Sequence, residues 1–331
     1  MKRASLTARQ YVDGVVGGDR AVLARAITLI ESNAPAHQQL AQAVLTELLA
    51  CRGQAVRLGI TGVPGAGKST LIETLGTWLT ARGKRVAVTA IDPSSSLTGG
   101  SILGDKTRME KLAVDPNAFI RPSPSGGTLG GVARKTRETI VLFEAAGYDV
   151  IIVETVGVGQ SEAQVRSMVD FFLLVLLAGA GDELQGFKRG VIELADAIAI
   201  NKADGPNAAA ADLARAGFAG VLPYLRPATE GWQTRAFTCS ATTGAGLEEL
   251  WSVVEAFERL TRPGGAWLRR RGEQERSWVR ELVREGLESQ FRAHAGVAAH
   301  VEELEDDVVS GRLPATTAAQ RLLDLFRLPP A

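Results

Sequence analysis

The sequence predicts an α/β protein: a mostly parallel sheet with helices on both faces, a helical lead-in before it and a helical arm after it. Three observations predict this. Six short apolar runs alternate with helix-period stretches between Ala55 and Arg262. The runs are nearly continuous in hydrophobicity, as strands covered on both faces are. The flanking regions instead repeat apolar residues at helical spacing.

In chain order, the lead-in occupies residues 1–53. Leu23, Ala26, Ile27 and Ile30, then Leu40, Val44 and Leu48, fall on helical faces. Gly17-Gly18 before Asp19, and Asn33 to Pro35, supply breaks and caps. Residues 54–262 read as the sheet domain, with strands at Val56 to Thr61, Val86 to Ile91, Val150 to Val153, Phe171 to Ala178 and Ala195 to Asn201, and a weaker one at Ala236 to Cys239. Ligands of such sheets sit beyond the carboxyl ends of the strands, so the loops after these runs are where chemistry belongs. Residues 263–331 begin at the Pro263-Gly264-Gly265 break. Val279, Val283, Leu287 and Phe291 form an i, i+4 ladder beside Trp278 and Leu282. Further apolar positions follow at Val301, Leu304 and Val308 and at Leu322, Leu323, Leu325 and Phe326. These stripes need either the surface of their own domain or a second chain.

Composition narrows the classes. The chain has 331 residues, ample for a buried core, with 37 basic and 37 acidic side chains. That balance argues against a strongly cationic nucleic-acid binder. Cys51 and Cys239 cannot build a disulfide framework, and with three scattered histidines they do not make a Cys/His metal cluster. The longest apolar run, Phe171 to Ala178, is far short of the roughly 20 residues of a membrane span. MKRASLTARQ lacks the apolar stretch of a secretory signal. The expectation is a cytoplasmic protein with neither membrane nor nucleic acid as partner.

Gly62-Val63-Pro64-Gly65-Ala66-Gly67-Lys68-Ser69 matches G-x-x-x-x-G-K-[ST] in full and lies between a strand-like and a helix-like segment. Glycines let backbone N–H groups turn inward around phosphate oxygens, and the following helix, from Lys68, Ser69 and Thr70 onward, presents its positive end. Lys68 is expected at the β- and γ-phosphates and the Ser69 hydroxyl on Mg²⁺.

The string Asn201-Lys202-Ala203-Asp204 selects the base. Asp204 can accept from both N1–H and the exocyclic amine of guanine, whereas adenine offers neither in that arrangement. Two charge-assisted bonds of ~1.5–3 kcal/mol each discriminate on the order of 10²- to 10⁴-fold. Lys202 is expected along the base plane and Asn201 as a tie to the phosphate loop. Ser240, Ala241 and Thr242 form a second base-contacting segment in CSATTGAGL. The nucleotide is therefore expected to be GTP or GDP. Between the two motifs, Asp149 to Val153 delivers Glu154 to the metal side of the phosphates. Gly157, three residues on, is placed to approach the γ-phosphate through its amide.

GVPGAGKST, IDPSS, ETVGVGQSE and NKAD together resemble the MeaB/ArgK group of the SIMIBI-class P-loop GTPases, and the resemblance covers essentially the whole chain. It implies a P-loop NTPase fold and a homodimer made by the C-terminal arm. It further implies a GTPase chaperone that gates adenosylcobalamin loading and protects or reactivates methylmalonyl-CoA mutase. Carried over residue by residue, it also implies that Asp92 and Asp105 join Ser69 and Glu154 around magnesium. Arg108 and Lys188, each in a glycine-flanked loop, are candidates with Lys68 for neutralising charge during phosphoryl transfer. Gln160 is a candidate for orienting water.

Three alternatives carry different signatures. A metal-insertion GTPase would hold a Cys/His ligand set, which His37, His294 and His300 do not supply. A kinase would favour ATP and need an acceptor pocket. A nucleotide-sensing scaffold would bind without turnover.

Overall fold

The computed structural model describes residues 6–91, 109–122, 129–155, 161–178 and 189–327. Seven strands form one sheet: β1 (Val56–Gly62), β2 (Val86–Ile91), β3 (Ala118–Arg121), β4 (Val150–Thr155), β5 (Phe171–Leu177), β6 (Ala197–Asn201) and β7 (Arg235–Thr238). Their order is β3-β2-β4-β1-β5-β6-β7, and every pairing is parallel. The sheet is thus parallel throughout. β3 is the strand absent from the sequence reading; it is a four-residue edge strand, half-exposed beyond Ala118, with no long apolar run to announce it.

Three helices open the chain: α1 (Ala8–Val16), α2 (Arg20–Glu31) and α3 (Pro35–Leu48). Each starts where local chemistry supplies a stop or a cap. Thr7 and Gln10 form a capping box, and the Asp19 carboxylate accepts from the Ala21 and Val22 amides. Pro35 takes the first position of α3, where its missing N–H is no loss. With α6 (Leu129–Ala145), these helices cover one face of the sheet, burying Leu23, Ile27, Val44 and Leu48 near Ile151 and Phe143. The other face carries α4 (Lys68–Thr80) and α10 (Leu247–Thr261), around Leu71, Leu75, Phe257 and the strand residues Leu58 and Ile60. Short helices α5 (Glu110–Val114), α7 (Ser161–Arg166) and α8 (Arg189–Leu194), and the longer α9 (Ala208–Val221), complete the connections. No helix among the described residues is long and apolar enough to cross a membrane.

Two compact units divide at Arg270. The helix α11 (Ala266–Ala293) runs through the division, and α12 (Ala295–Ala298), α13 (Val301–Val309) and α14 (Ala315–Arg327) follow it. Inside the second unit, Phe291 and His294 each set an edge against the Phe326 ring at 5.4 Å. Of the predicted ladder, Val279, Val283 and Leu287 remain more than half exposed.

The amino ends of the central strands are tied by buried charge. Asp196, fully buried, accepts from the Phe172 amide at 2.9 Å and pairs with Arg166 at 3.2 Å and Arg270 at 3.5 Å. Burial pulls the Arg166 guanidinium down to about 10, with Asp196 opposing that shift. Removing Asp196 leaves two largely buried cations short of a counter-charge, with Asp170 the remaining acid acting on Arg166. Asp196→Asn is expected to destabilise this unit by about 3–5 kcal/mol, seen as a lower urea midpoint, and an unchanged midpoint would deny the cluster any stabilising part.

Candidate nucleotide-binding site

Because all strands point the same way, their carboxyl ends share one edge, and the predicted motifs meet there. β1 ends in Gly62, whose φ of +155° is joined to a second demand: a Cβ would lie 2.1 Å from the Val175 carbonyl oxygen. Gly67 caps α4 at φ +84°, and a Cβ there would sit 2.7 Å from Asn201 Nδ2. Within the loop, the Ala66 N–H donates to the Val63 carbonyl at 3.1 Å. The amides of Gly65, Gly67, Ser69 and Thr70 have no acceptor among the described residues, and they surround the positive end of α4. An anion fits unpaired donors at a helix N-terminus. The largely buried Lys68 curls over the loop, its ammonium donating to the Gly62 and Val63 carbonyls at 2.9 and 3.2 Å.

The β1–β4 register pairs Ile60 with Glu154, which carries that carboxylate to the start of α4. The Ser69 hydroxyl donates to Glu154 Oε1 at 2.9 Å, and the Thr61 and Thr155 hydroxyls are bonded to each other at 2.8 Å. A hydroxyl and a carboxylate beside a phosphate cradle are the hard oxygen donors Mg²⁺ prefers. Among the described residues no group of three acidic, His or Cys side chains could hold a metal ion, and Ser69 with Glu154 alone would fill only part of an octahedral shell. Asp92, Asp105, Arg108, Gly157, Gln160 and Lys188 lie outside the described residues.

The base side is organised by Asn201 at the end of β6. Its side chain is fully buried; Nδ2 donates to the Ala66 carbonyl at 2.7 Å and Oδ1 accepts from the Ala241 amide at 3.0 Å. One amide therefore joins the phosphate loop to the segment at 240–245. Lys202 follows with φ +59°, the one non-glycine residue at positive φ among the described residues. That backbone is braced by Asn207 Nδ2 on the Lys202 carbonyl at 3.1 Å and by the Ala203 amide on the Cys239 carbonyl at 3.0 Å. Asp204 is half-buried, and its carboxylate has no partner among the described residues. Ser240 is buried and closes its own loop, accepting from the Thr243 amide at 3.1 Å through its hydroxyl.

Several contributors were invisible to the motif reading. Thr74, on α4, donates to the Ala241 carbonyl at 2.7 Å. Glu73, beside it, accepts from the Lys111 and Leu112 amides at 2.7 and 3.3 Å and so pins the start of α5 onto the phosphate-loop helix. Gly76 leaves the room that Leu112 fills. The Cys239 thiol lies 3.6 Å from Asn201 Oδ1. None of these carries a sequence signal, since each is an ordinary helix or strand residue whose partner is remote in the chain.

A seven-stranded parallel sheet with a glycine-rich loop leading from β1 into a helix, and an Asn-Lys-x-Asp turn after β6, defines a P-loop GTPase fold. Comparison with known proteins narrows the class: residues 23–296 match the family of methylmalonyl-CoA mutase-associated GTPase MeaB, and the chain belongs to that family. The methylmalonic aciduria type A homolog of Mus musculus, a mitochondrial protein, is 44% identical over 96% of this chain and 80% of its own. GTPase ArgK of Escherichia coli K12 is 49% identical over 81% of each chain. The crystal structure of a protein titled LAO/AO transport system kinase superposes with a TM-score of 0.80 at 36% identity, covering 99% of this chain and 100% of that one.

Burial pushes the Cys239 thiol up to about 12, while Cys51 is exposed. A disulfide reagent at pH 8 is therefore expected to modify one thiol rapidly in the folded protein and two in denaturant. Two rapid thiols in the folded state would show that the strand end beneath Asn201 is open.

Proposed function

We propose that this protein binds GTP with Mg²⁺ and hydrolyses it to GDP and phosphate. Through that cycle it acts as a chaperone that gates adenosylcobalamin loading and protects or reactivates methylmalonyl-CoA mutase. The observation that carries the nucleotide reading is the half-buried Asp204 carboxylate, without a partner among the described residues and separated from an anion cradle by the single strand β5. A carboxylate so placed is open to a ligand that supplies two donors, and guanine does so through N1–H and its 2-amino group.

In the reaction, water attacks the γ-phosphorus as the bond to the β–γ bridging oxygen breaks, and negative charge spreads over the transferring group. The amides of Gly65, Gly67, Ser69 and Thr70 hold the phosphate chain. Lys68 leaves the two loop carbonyls it now contacts for the β- and γ-oxygens. Ser69 and Glu154, with Asp92 and Asp105 directly or through water, would hold Mg²⁺, which would supply neutralisation of phosphate charge. Arg108 and Lys188 are the chain's own candidates for the remaining charge, Gln160 for orienting the water, and Gly157 for an amide at the γ-phosphate. Charges of this kind are worth about 10³–10⁵-fold in rate.

The partner reading rests on the family description, which names association with the mutase. Residues 263–331 are proposed to form the arm of a homodimer, supported by the exposed Val279, Val283 and Leu287. Residues 1–53 are the lead-in to the GTPase domain at 54–262, and the site of action is the cytoplasm. The kinase title of the structural relative points to a second reading, in which an acceptor other than water takes the phosphate.

Two measurements check this. Asp204→Asn is expected to lower GTP affinity on the order of 10²-fold or more and to improve binding of xanthosine triphosphate, whose edge suits an amide. An unchanged guanine preference would remove Asp204 from the base. Lys68→Ala is expected to weaken GTP more than GDP with little change in thermal midpoint. Phosphate release assayed with GTP and ATP, with and without mutase, separates the readings: ATP-selective transfer to a solute would favour the kinase.

A further inference from the structure

The loop at 240–245 spends four of its six backbone donors on itself. Ser240 N–H goes to the Ala245 carbonyl at 2.9 Å, Gly244 N–H to the Ser240 carbonyl at 2.9 Å, Thr243 N–H to the Ser240 hydroxyl and Ala245 N–H to the Thr243 hydroxyl at 3.3 Å. The Ala241 N–H is taken by Asn201 Oδ1. That leaves the amide of Thr242, an exposed residue, without an acceptor among the described residues.

What fixes this distribution is Ala241, gripped through the peptide groups on both sides of its Cα. Its N–H is held from β6 by Asn201, and its carbonyl is held from α4 by the Thr74 hydroxyl at 2.7 Å, 167 residues away in sequence. Thr74 also lies 2.9 Å from the Thr70 carbonyl, the usual back-bond of a helical threonine. The single hydroxyl proton is shared, and the contact to Ala241 is the shorter. The Ala241 carbonyl and the Thr242 N–H belong to one planar peptide group, so rotating that group would break the Thr74 grip. The next amide, that of Thr242, is thereby set in one orientation.

We propose that Thr74 is a positioning residue for base specificity: through the Ala241 carbonyl it sets the Thr242 N–H as the donor that reads the oxygen at C6 of the purine. Asp204 accepts from the N1 and C2 side of the ring, so the two loops read complementary edges. This rests on the guanine reading above and adds the residue that orients its second half. Because Thr74 is on the helix that begins at the phosphate loop, the grip also carries the register of the phosphate cradle into the base loop.

The test is calorimetry with GDP, inosine diphosphate (no 2-amino group), 6-thioguanosine diphosphate (sulfur, a poorer acceptor, at C6) and ADP. Thr74→Val keeps the shape and removes the proton; Thr74→Ser restores a hydroxyl. The valine variant is expected to weaken GDP about 3- to 10-fold, as the loss of one hydrogen bond does. Its preference for GDP over the 6-thio analogue should fall towards unity, while its preference for GDP over inosine diphosphate stays at the wild-type value. Thr74→Ser should recover both affinity and preference. A loosened fold would instead weaken every nucleotide alike, and that result, or an unchanged 6-thio ratio, overturns the proposal. If the valine variant does not fold, the serine variant decides: a lost 6-thio preference in it counts against the assignment and a retained one for it. Wild-type protein that binds ADP as tightly as GDP would overturn the guanine reading itself, a failure distinct from that of Thr74.

Discussion

The side-chain amide of Asn201 is the contact on which the two halves of the site depend. Its nitrogen holds the Ala66 carbonyl in the phosphate loop and its oxygen holds the Ala241 amide in the base loop. Both bonds lie in a buried setting, where an unpaired polar group is costly, so neither loop can move freely without the other. Gly67 is glycine partly because of this contact, since a side chain there would displace the amide nitrogen. Lys202 holds a left-handed backbone next door, a strain the chain tolerates because Asn207 and Ala203 brace the turn.

This arrangement is possible only because the sheet is parallel. β1, β4, β5 and β6 lie side by side, so the phosphate loop, Glu154 and the Asn-Lys-x-Asp turn emerge on one edge at distances set by strand spacing. Helices covering both faces are what make the strands continuous in hydrophobicity, and the same burial drives the thiol of Cys239 away from ionisation. Fold and chemistry therefore share a cause: the apolar runs that build the sheet also fix where its loops meet.

Much of this was legible in the sequence. Six of the seven strands could be placed from apolar runs, the last of them weak, and the starts of α2 and α3 follow from Asp19 and Pro35. The phosphate and base loops could be read because they are contiguous strings whose glycines, lysine and acids have fixed chemical tasks. β3 escaped because an edge strand of four residues buries only one of them. Thr74, Glu73 and the Thr61–Thr155 pair escaped for another reason. Their meaning lies in partners 94 or 167 residues away, or on another helix, and a lone threonine or glutamate reads as an ordinary strand or helix residue. Asp196 reads as a strand-edge acid until Arg166 and Arg270 are brought against it.

The central claim is that a guanine ring lodges against the turn at 201–204 while its phosphates occupy the loop at 62–70. A crystal structure of the protein with GDP and Mg²⁺ tests it most directly. The account predicts N1–H and the 2-amino group within hydrogen-bond distance of the Asp204 carboxylate, O6 on the Thr242 amide, and the β-phosphate among the amides around Lys68. A base turned away from Asp204, with the phosphates bound elsewhere than the start of α4, would contradict it.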